Sequence, residues 1–554
     1  MMKKWISLAL VAVMLLTVPM MAWSEGFDQQ IRVDNGDVYP DNAPVEDGVL
    51  EGDLTVSETD AALDVLAHPE EGTEIPGEST LEVTGTVSLK TENSDSVAIN
   101  IRADSAGTAS VVVGENVESN VTSSYRFASA TGVDGSAYSD SGFAENNDCD
   151  SIAKVNIDVK GNVEAEATGE NVSAYATGVF IGAIEENQQG VLRAVQQDVQ
   201  DETDHITETT VNVNIGGDVT ATGTAIGEQN NSDAYGIRVE TRGDPDVNIT
   251  VGGDVTATAT TGGDQNHSEA FGIMVKTHDG DPEVNITVGG TVSGDTAAIL
   301  LEGMVWDQES EKEVPSTVIG DNVTLTVWEI EPNENGDYVV RQDHESFKSV
   351  EESELKAIQY IIKVQAGQED IISTEGTSSY TAGTRTYDVA HEGDSVTLKL
   401  NIPAGYEIDG AYGNEGQTWV LTKDASGNYY LTVPRGGGVM LSVKLSAVVK
   451  APEPERIGGP VWGDVLVTVT DKSGNATMEF LKDGTFRITG NNGSFTKGRF
   501  WFLNKLINVA ENGDEANATQ IILNEASKMF ELSMNGSSFE LSENDIKVLA
   551  GNRM

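Results

Sequence analysis

The chain has 554 residues, of which 90 are acidic and 33 basic, for a formal net charge of −57. That balance argues against nucleic-acid binding, because holding phosphates takes clustered Lys and Arg. A single cysteine, Cys149, excludes an internal disulfide.

Residues 1–24, MMKKWISLALVAVMLLTVPMMAWS, set Lys3 and Lys4 before an apolar run and close on Ala22-Trp23-Ser24, a small-x-small cleavage pattern. This is the plan of a secretory signal peptide, and it is excluded from the fold. Nothing after it is apolar enough to span a bilayer. The expected address is extracellular, secreted or associated with the cell surface. Residues 25–80 are acidic, with a sparse apolar pattern in Leu50, Leu54, Val56, Leu63, Val65 and Leu66. They are expected to form an N-terminal cap over the open end of the central region.

The centre of the chain, 81–330, repeats itself. Residues 211–293 write one unit almost three times: VNVNIGGDVTATGTA…AYGIRVE, VNITVGGDVTATATT…AFGIMVK, then VNITVGGTVSG. The valine after each diglycine falls at Val219, Val255 and Val292, a period of 36 and then 37 residues. Apolar residues occupy alternate positions, as in Val247, Ile249, Val251, Gly253, Val255, Ala257 and Ala259, which is the period of a strand. A second strand follows in each unit, with Tyr235, Ile237 and Val239, and then Phe271, Ile273 and Val275, expected inward. One unit cannot cover its own apolar face, and stacked units can. The pattern therefore predicts a parallel β-helix, a solenoid with lateral loops. An antiparallel sandwich would also alternate, but has no reason to repeat at this length. Diverged copies centre on Val87, Val117, Val163 and Val323. Two excursions are expected as loops: 134–150, and 185–207, where Val191, Leu192, Val195 and Val199 suggest a short amphipathic helix.

Residues 331–356 are charged and read as a linker or short helix. Residues 357–450 read as an all-β module, 451–460 (APEPERIGGP) as a proline-bearing linker, and 461–554 as a second β module. In the last, Asp483-Gly484, Asn492-Gly493 and Asn535-Gly536 are hairpin-turn signals. Phe480, Phe486, Ile488, Phe500, Phe502, Phe530, Leu532 and Phe539 are its expected core. The fold class is thus all-β: a parallel β-helix followed by two small β modules.

The run from Glu392-Gly-Asp-Ser-Val-Thr-Leu, through Pro403-Ala-Gly-Tyr-Glu and Gly427-Asn-Tyr-Tyr-Leu-Thr-Val-Pro, to Val439-Met-Leu-Ser-Val resembles the bacterial repeat modules of Gram-positive surface proteins, related to internalin B-repeats. PRGGGV departs from the tighter turn of many members. The terminal module is similar to lipocalin-like β-meander domains, and 81–330 is similar to adhesin-like β-helix proteins. The resemblance implies a non-catalytic, adhesin-like protein of a Gram-positive bacterium. Its partners would be extracellular glycans or proteins. The end of the chain, DIKVLAGNRM, carries no LPxTG-type sorting motif.

The alternative is a β-helix polysaccharide lyase or hydrolase. Such chemistry needs converged carboxylates with a base, and among ninety acids pairs arise by chance. Arg238 aligns with Met274 and Arg242 with His278, so no basic ladder builds. The six histidines show no metal-ligand spacing, and no nucleophile-elbow or phosphate-loop motif occurs. No catalytic, cofactor-binding or metal residue is therefore assigned, and no cofactor is expected. Ca²⁺ is the ion the oxygen-rich turns could hold, at Asp244 with Asp246 and Asp279 with Asp281, although Pro245 and Pro282 explain both as plain turns. Thr220, Thr222 and Thr224 are expected to stack on Thr256, Thr258 and Thr260. Trp501, opposite in parity to Phe500 and Phe502, is an expected exposed aromatic that could stack on a sugar ring or cap its own module.

Overall fold

In the computed structural model, residues 28–551 are described except 41–42, 70–75, 93–94, 141–149, 187–206, 228–229, 263–266, 279, 281, 308–311, 316–322, 344–345, 351–357, 449–464, 492, 504–505, 512–517, 525–528 and 535–536. The signal peptide, Cys149, His205, His344, the expected helix around Val195 and the 451–460 linker lie outside the described residues. The chain divides into two compact units, 1–401 with 409–444, and 402–408 with 445–554.

The first unit is built on parallel strands that the chain visits in a fixed order. In the best-repeated part, one repeat contributes Thr207–Ile215, Val219–Ile226 and Ser232–Arg242. Asp246–Val251, Val255–Thr261 and Ser268–His278 make the next. Each strand pairs in parallel with its counterpart one repeat later, giving three ladders. In the first, Val211 aligns with Val247 and Val247 with Val284. In the second, Val87, Val117, Val163, Val219, Val255 and Val292 stand in one row. In the third, Ile237 aligns with Ile273 and Ile273 with Ile299. The irregular spacing of these valines in sequence disappears in space, because the extra residues leave between strands.

Period-two alternation decides which side is buried. Val247, Ile249, Val251, Val255 and Ala257 are at most 1% exposed, while Asn248 is exposed. Where the ladders approach, the interior is filled by alanine: Ala128, Ala165, Ala174, Ala221, Ala234, Ala257 and Ala270 pack in one cluster. Side chains this small let two sheets come close, and each buried methylene contributes about 0.8 kcal/mol.

Four expectations are corrected. Val323 does not extend the second row; it pairs with Val284 in the first ladder, and Ile330 takes the place next to Val292. The 25–80 stretch is part of the ladders as well as an end, since Leu54 aligns with Val87 and Leu63 with Ile99. Residues 134–140 are not loop but the second half of strand Phe127–Asp140, whose alternating Gly135, Ala137 and Ser139 are small enough to face inward. The span 331–356 holds Val339–Asp343, which pairs in parallel with Ala297–Asp307, and Ser346–Ser349, which folds back on it. The charges around them mask the alternation of Val340 and Phe347.

Gln359–Ile361 continues the first ladder against Val323–Ile330. Beyond it antiparallel pairs appear, with Ser378–Ala382 on Arg385–His391 and Ile372–Glu375 on Ser395–Leu400, while Lys363–Val364 pairs in parallel with Met440–Ala447. After a turn at Gly405 (φ 92°) the chain enters strand Tyr406–Tyr412.

In the second unit, six antiparallel strands from Val465–Thr470 to Thr519–Gln520 form a meander, and Ile522–Asn524, Met529–Met534 and Ser537–Leu541 a second sheet. Phe480, Phe486, Ile488, Phe500, Leu532 and Phe539 are buried in its core, and Phe530 packs against it. The side chain of Phe502 lies outside the described residues. A helix, Glu543–Gly551, was not anticipated. Its start is written in the sequence as a reciprocal cap: Ser542 Oγ accepts the Asp545 N–H (3.2 Å), and Asp545 accepts the Ser542 N–H (2.8 Å).

Candidate functional site

The outward side chains of the third ladder are the most varied in the first unit. Four consecutive strands carry them: Phe127–Asp140, Ser173–Glu186, Ser232–Arg242 and Ser268–His278. Each strand changes parity once, at Gly132, Gly178, Gly236 or Gly272. At that position two consecutive residues are buried, as in Gly236 and Ile237. A Cβ there would lie 2.5–2.7 Å from Cγ1 of Val163, Val219, Val255 or Val292, the row of valines after the second corner. Glycine is thus required by a close approach, and the parity change that accompanies it puts the preceding aromatic outside.

Tyr235 and Phe271, expected inward, therefore sit on the outer face. Their rings stack at 6.1 Å with 20° between planes. Phe347 packs edge-on over Phe271 at 5.0 Å, which is why Phe271 is buried despite facing outward. Further along, the Arg238 guanidinium lies 5.2 Å from the Tyr235 ring centre and 5.7 Å from that of Phe180. Its Nε donates to Glu240 at 2.9 Å. Phe127 and Tyr175 meet edge to face at 6.2 Å, and Tyr175 is 37% exposed.

Carboxyl groups interleave with these rings. Burial pushes the Asp233 carboxyl up to about 6, and Glu269, its neighbour in register, pushes the same way. His267 and Arg238 oppose the shift, and His267 is itself paired with Glu269. Burial also raises Asp134, which accepts a hydrogen bond from Ser136 Oγ at 3.0 Å. Tyr138 is pushed up to about 12 by burial and by its hydrogen bond to Glu186. The surface can accept hydrogen bonds from hydroxyls between apolar ring faces.

The other two ladders show plainer outer faces. On the second, Thr220, Thr222 and Thr224 align with Thr256, Thr258 and Thr260, and Ser293 Oγ donates to Thr256 at 3.3 Å. On the first, an amide ladder runs up four strands. Asn212 Nδ2 donates to Asn156 (3.1 Å), Asn248 to Asn212 (3.3 Å) and Asn285 to Asn248 (3.2 Å). The signal for this ladder is the asparagine shared by VNVN and VNIT, which a reading of apolar periods alone does not pick out.

The two arginines weighed for a basic ladder stand where alignment put them, Arg238 beside Met274 and Arg242 beside His278. Among the described residues no three His, Cys, Asp or Glu side chains form a group that could hold a metal ion. Asp246 is raised by burial, with Glu283 and Glu208 pushing the same way. Asp279 and Asp281 lie outside the described residues. Trp501 is half-buried and aligns with Asn508. Lys363, not singled out from sequence, lies 3.9 Å from the Trp328 ring centre, and burial holds its amine below the usual lysine range. Among the described residues, no helix is long and apolar enough to cross a membrane. No protein-family model, curated protein or solved structure matches the chain.

Proposed function

We propose that the parallel ladders of residues 31–330 form a parallel β-helix, and that the protein is a non-catalytic, adhesin-like binding or display protein. It would be exported by a Gram-positive bacterium and work outside the cell. The observation that carries this reading is the register itself. Parallel pairing presents the same side chain at every strand, as in the Asn156–Asn212–Asn248–Asn285 ladder and the paired threonines. Such a surface meets a repetitive partner with many equivalent weak contacts, whose combined strength exceeds that of each. An acidic exterior keeps such a chain soluble and repels nucleic acid and other polyanions. Extracellular glycans and matrix proteins are the partner classes proposed, with no cofactor; Ca²⁺ is the one ion to be tried.

A second reading, cleavage of a polysaccharide, is favoured by one observation: Asp233 is pushed up to about 6 beside Glu269, as a general acid needs. Both readings are tested by applying the purified chain to glycan and matrix-protein arrays, with and without Ca²⁺, while assaying bound glycans for new chain ends. Retention without cleavage is expected. Cleavage abolished by Asp233→Asn would replace the binding reading, and a failure to be retained by any glycan or protein would remove it.

A further inference from the structure

We propose that the outer face of the third ladder, at Phe127, Tyr175, Phe180 and Tyr235 with Asp134 and Ser136, binds an uncharged polysaccharide chain; this rests on the glycan-binding reading above and names its site and ligand class. The rings lie on adjacent strands in two groups, Phe127 with Tyr175, and Tyr235 with Phe271 and, across Arg238, Phe180; the chain itself shows what the second group accepts. At one end Phe347 covers Phe271. The cluster of Phe271, Met274, Ala297, Leu300 and Val340 is buried beneath, with Tyr235 and Phe347 packed against it. Tyr235, Phe180, Tyr175 and Phe127 are left half-buried or, for Tyr175, exposed. At the covered end an aromatic ring, Phe347, already packs on Phe271, edge to face.

The flat C–H face of a pyranose has that form, and its rim of hydroxyls supplies the donors that Asp134 and Ser136 can take. Carboxylates accept neighbouring hydroxyl pairs well. The charge pattern selects among glycans. Asp134, Asp233, Glu186, Glu240 and Glu269 share the face, and the cations Arg102, Arg238 and Lys276 are committed to Asp104, Glu240 and Glu302. A polyanionic glycan would meet repulsion from these carboxylates, and among the described residues of these strands and their flanks the arginines outside those pairs, Arg126 and Arg242, stand at strand ends. Gly182, between Phe180 and Ile184 on the outer side, leaves room for a ring substituent: the three atoms nearest a Cβ there would be Ser136 Oγ at 3.4 Å and two Phe180 ring carbons at 3.6 and 3.9 Å.

The test is affinity electrophoresis of the full chain through gels holding mannan, hydroxyethylcellulose or laminarin, with alginate and hyaluronate as polyanionic controls. Retardation by at least one neutral polymer is expected, weakened about tenfold by Tyr175→Ala and by Phe180→Ala and untouched by Lys399→Ala, an exposed side chain on strand Ser395–Leu400. Circular dichroism of each variant confirms that its sheets persist, and Tyr175→Trp, which keeps a stacking face, should restore binding where Tyr175→Ala lost it. Retardation that survives both alanine variants would overturn the site while leaving glycan binding in place. Retardation by alginate or hyaluronate alone would overturn the ligand class. Retention on matrix proteins with no glycan retarded would overturn the proposal and leave only protein binding, and no retention of any kind would remove both readings.

Discussion

The carboxylate of Asp218 accepts the backbone N–H of Asp254, one repeat further on, at 2.8 Å. The same bond recurs at this corner from Asn116 to Asn162 (2.9 Å), Asn162 to Asp218 (2.9 Å) and Asp254 to Thr291 (2.7 Å). It also explains the second glycine of each diglycine. A Cβ on Gly253 would lie 1.9 Å from Asp218 Oδ1, and one on Gly290 2.1 Å from Asp254 Oδ1.

Asp218→Ala should lower stability by about 1 kcal/mol, the scale of a lost helix cap, because one amide at the corner loses its acceptor. Gly253→Ala should cost about 1–3 kcal/mol through the clash. The double variant should be more stable than the two losses together allow, since the first substitution removes the atom that the second strikes. Urea unfolding of all three variants measures this, and strict additivity would sink the account.

Gly236→Ala should cost about 1–3 kcal/mol, because its Cβ would sit 2.6 Å from both Val255 Cγ1 and the Gly272 carbonyl oxygen. In the next strands the position passes to Gly272 and then to Ala298, which is fully buried as alanine. Val255→Ala should relieve Gly236→Ala in part. Thermal melts followed by circular dichroism at a strand wavelength read both effects.

Stability should rise as the solution is acidified from pH 7 to 5. Asp233 is raised from 3.8 to about 6, and Asp134 and Asp246 are raised as well. A carboxyl with a raised value in the folded chain binds its proton more tightly there than when unfolded. Its contribution is therefore fully present below the unfolded value and is lost as pH climbs through the folded one. Asp233→Asn should raise the melting temperature at pH 7 and flatten its dependence between pH 4 and 6. An unchanged pH profile in that variant would show that Asp233 is not the group responsible.

Phe347→Ala should destabilise the first unit by about 2 kcal/mol and increase binding of an apolar dye, since Phe271 and Leu300 lose their cover. The same variant tests the ring face from its covered end. If Phe347 covers ring surface that a sugar could use, its removal should strengthen retardation by the neutral polymer that retards the parent chain.

The parity of the first two strands of each tandem unit, the valine row from Val87 to Val292 and the threonine pairing were legible, because small β-branched residues at period two leave few alternatives. Tyr235 and Phe271 were misplaced for a physical reason: one glycine per strand inverts the alternation, and period counting carries the wrong face across it. Val323 was misassigned because GDNV imitates the corner GGDV, while pairing puts it beside Val284. The outer face of the third ladder was not legible at all. Its rings come from strands far apart in sequence, and only the register brings Phe180 to Arg238 and Tyr235 to Phe271. Asp233 likewise looked ordinary until burial and Glu269 were beside it.

The corner bond of Asp218 runs one way, from a side chain in one repeat to the main chain of the next, and the glycine that makes room for it lies in the receiving repeat. Any copied stretch spanning Gly-Gly-Asp to the next diglycine therefore arrives with both halves of the joint. Such a chain can grow or shrink by gene duplication or loss in whole cassettes, and each new junction has the same chemistry as the old.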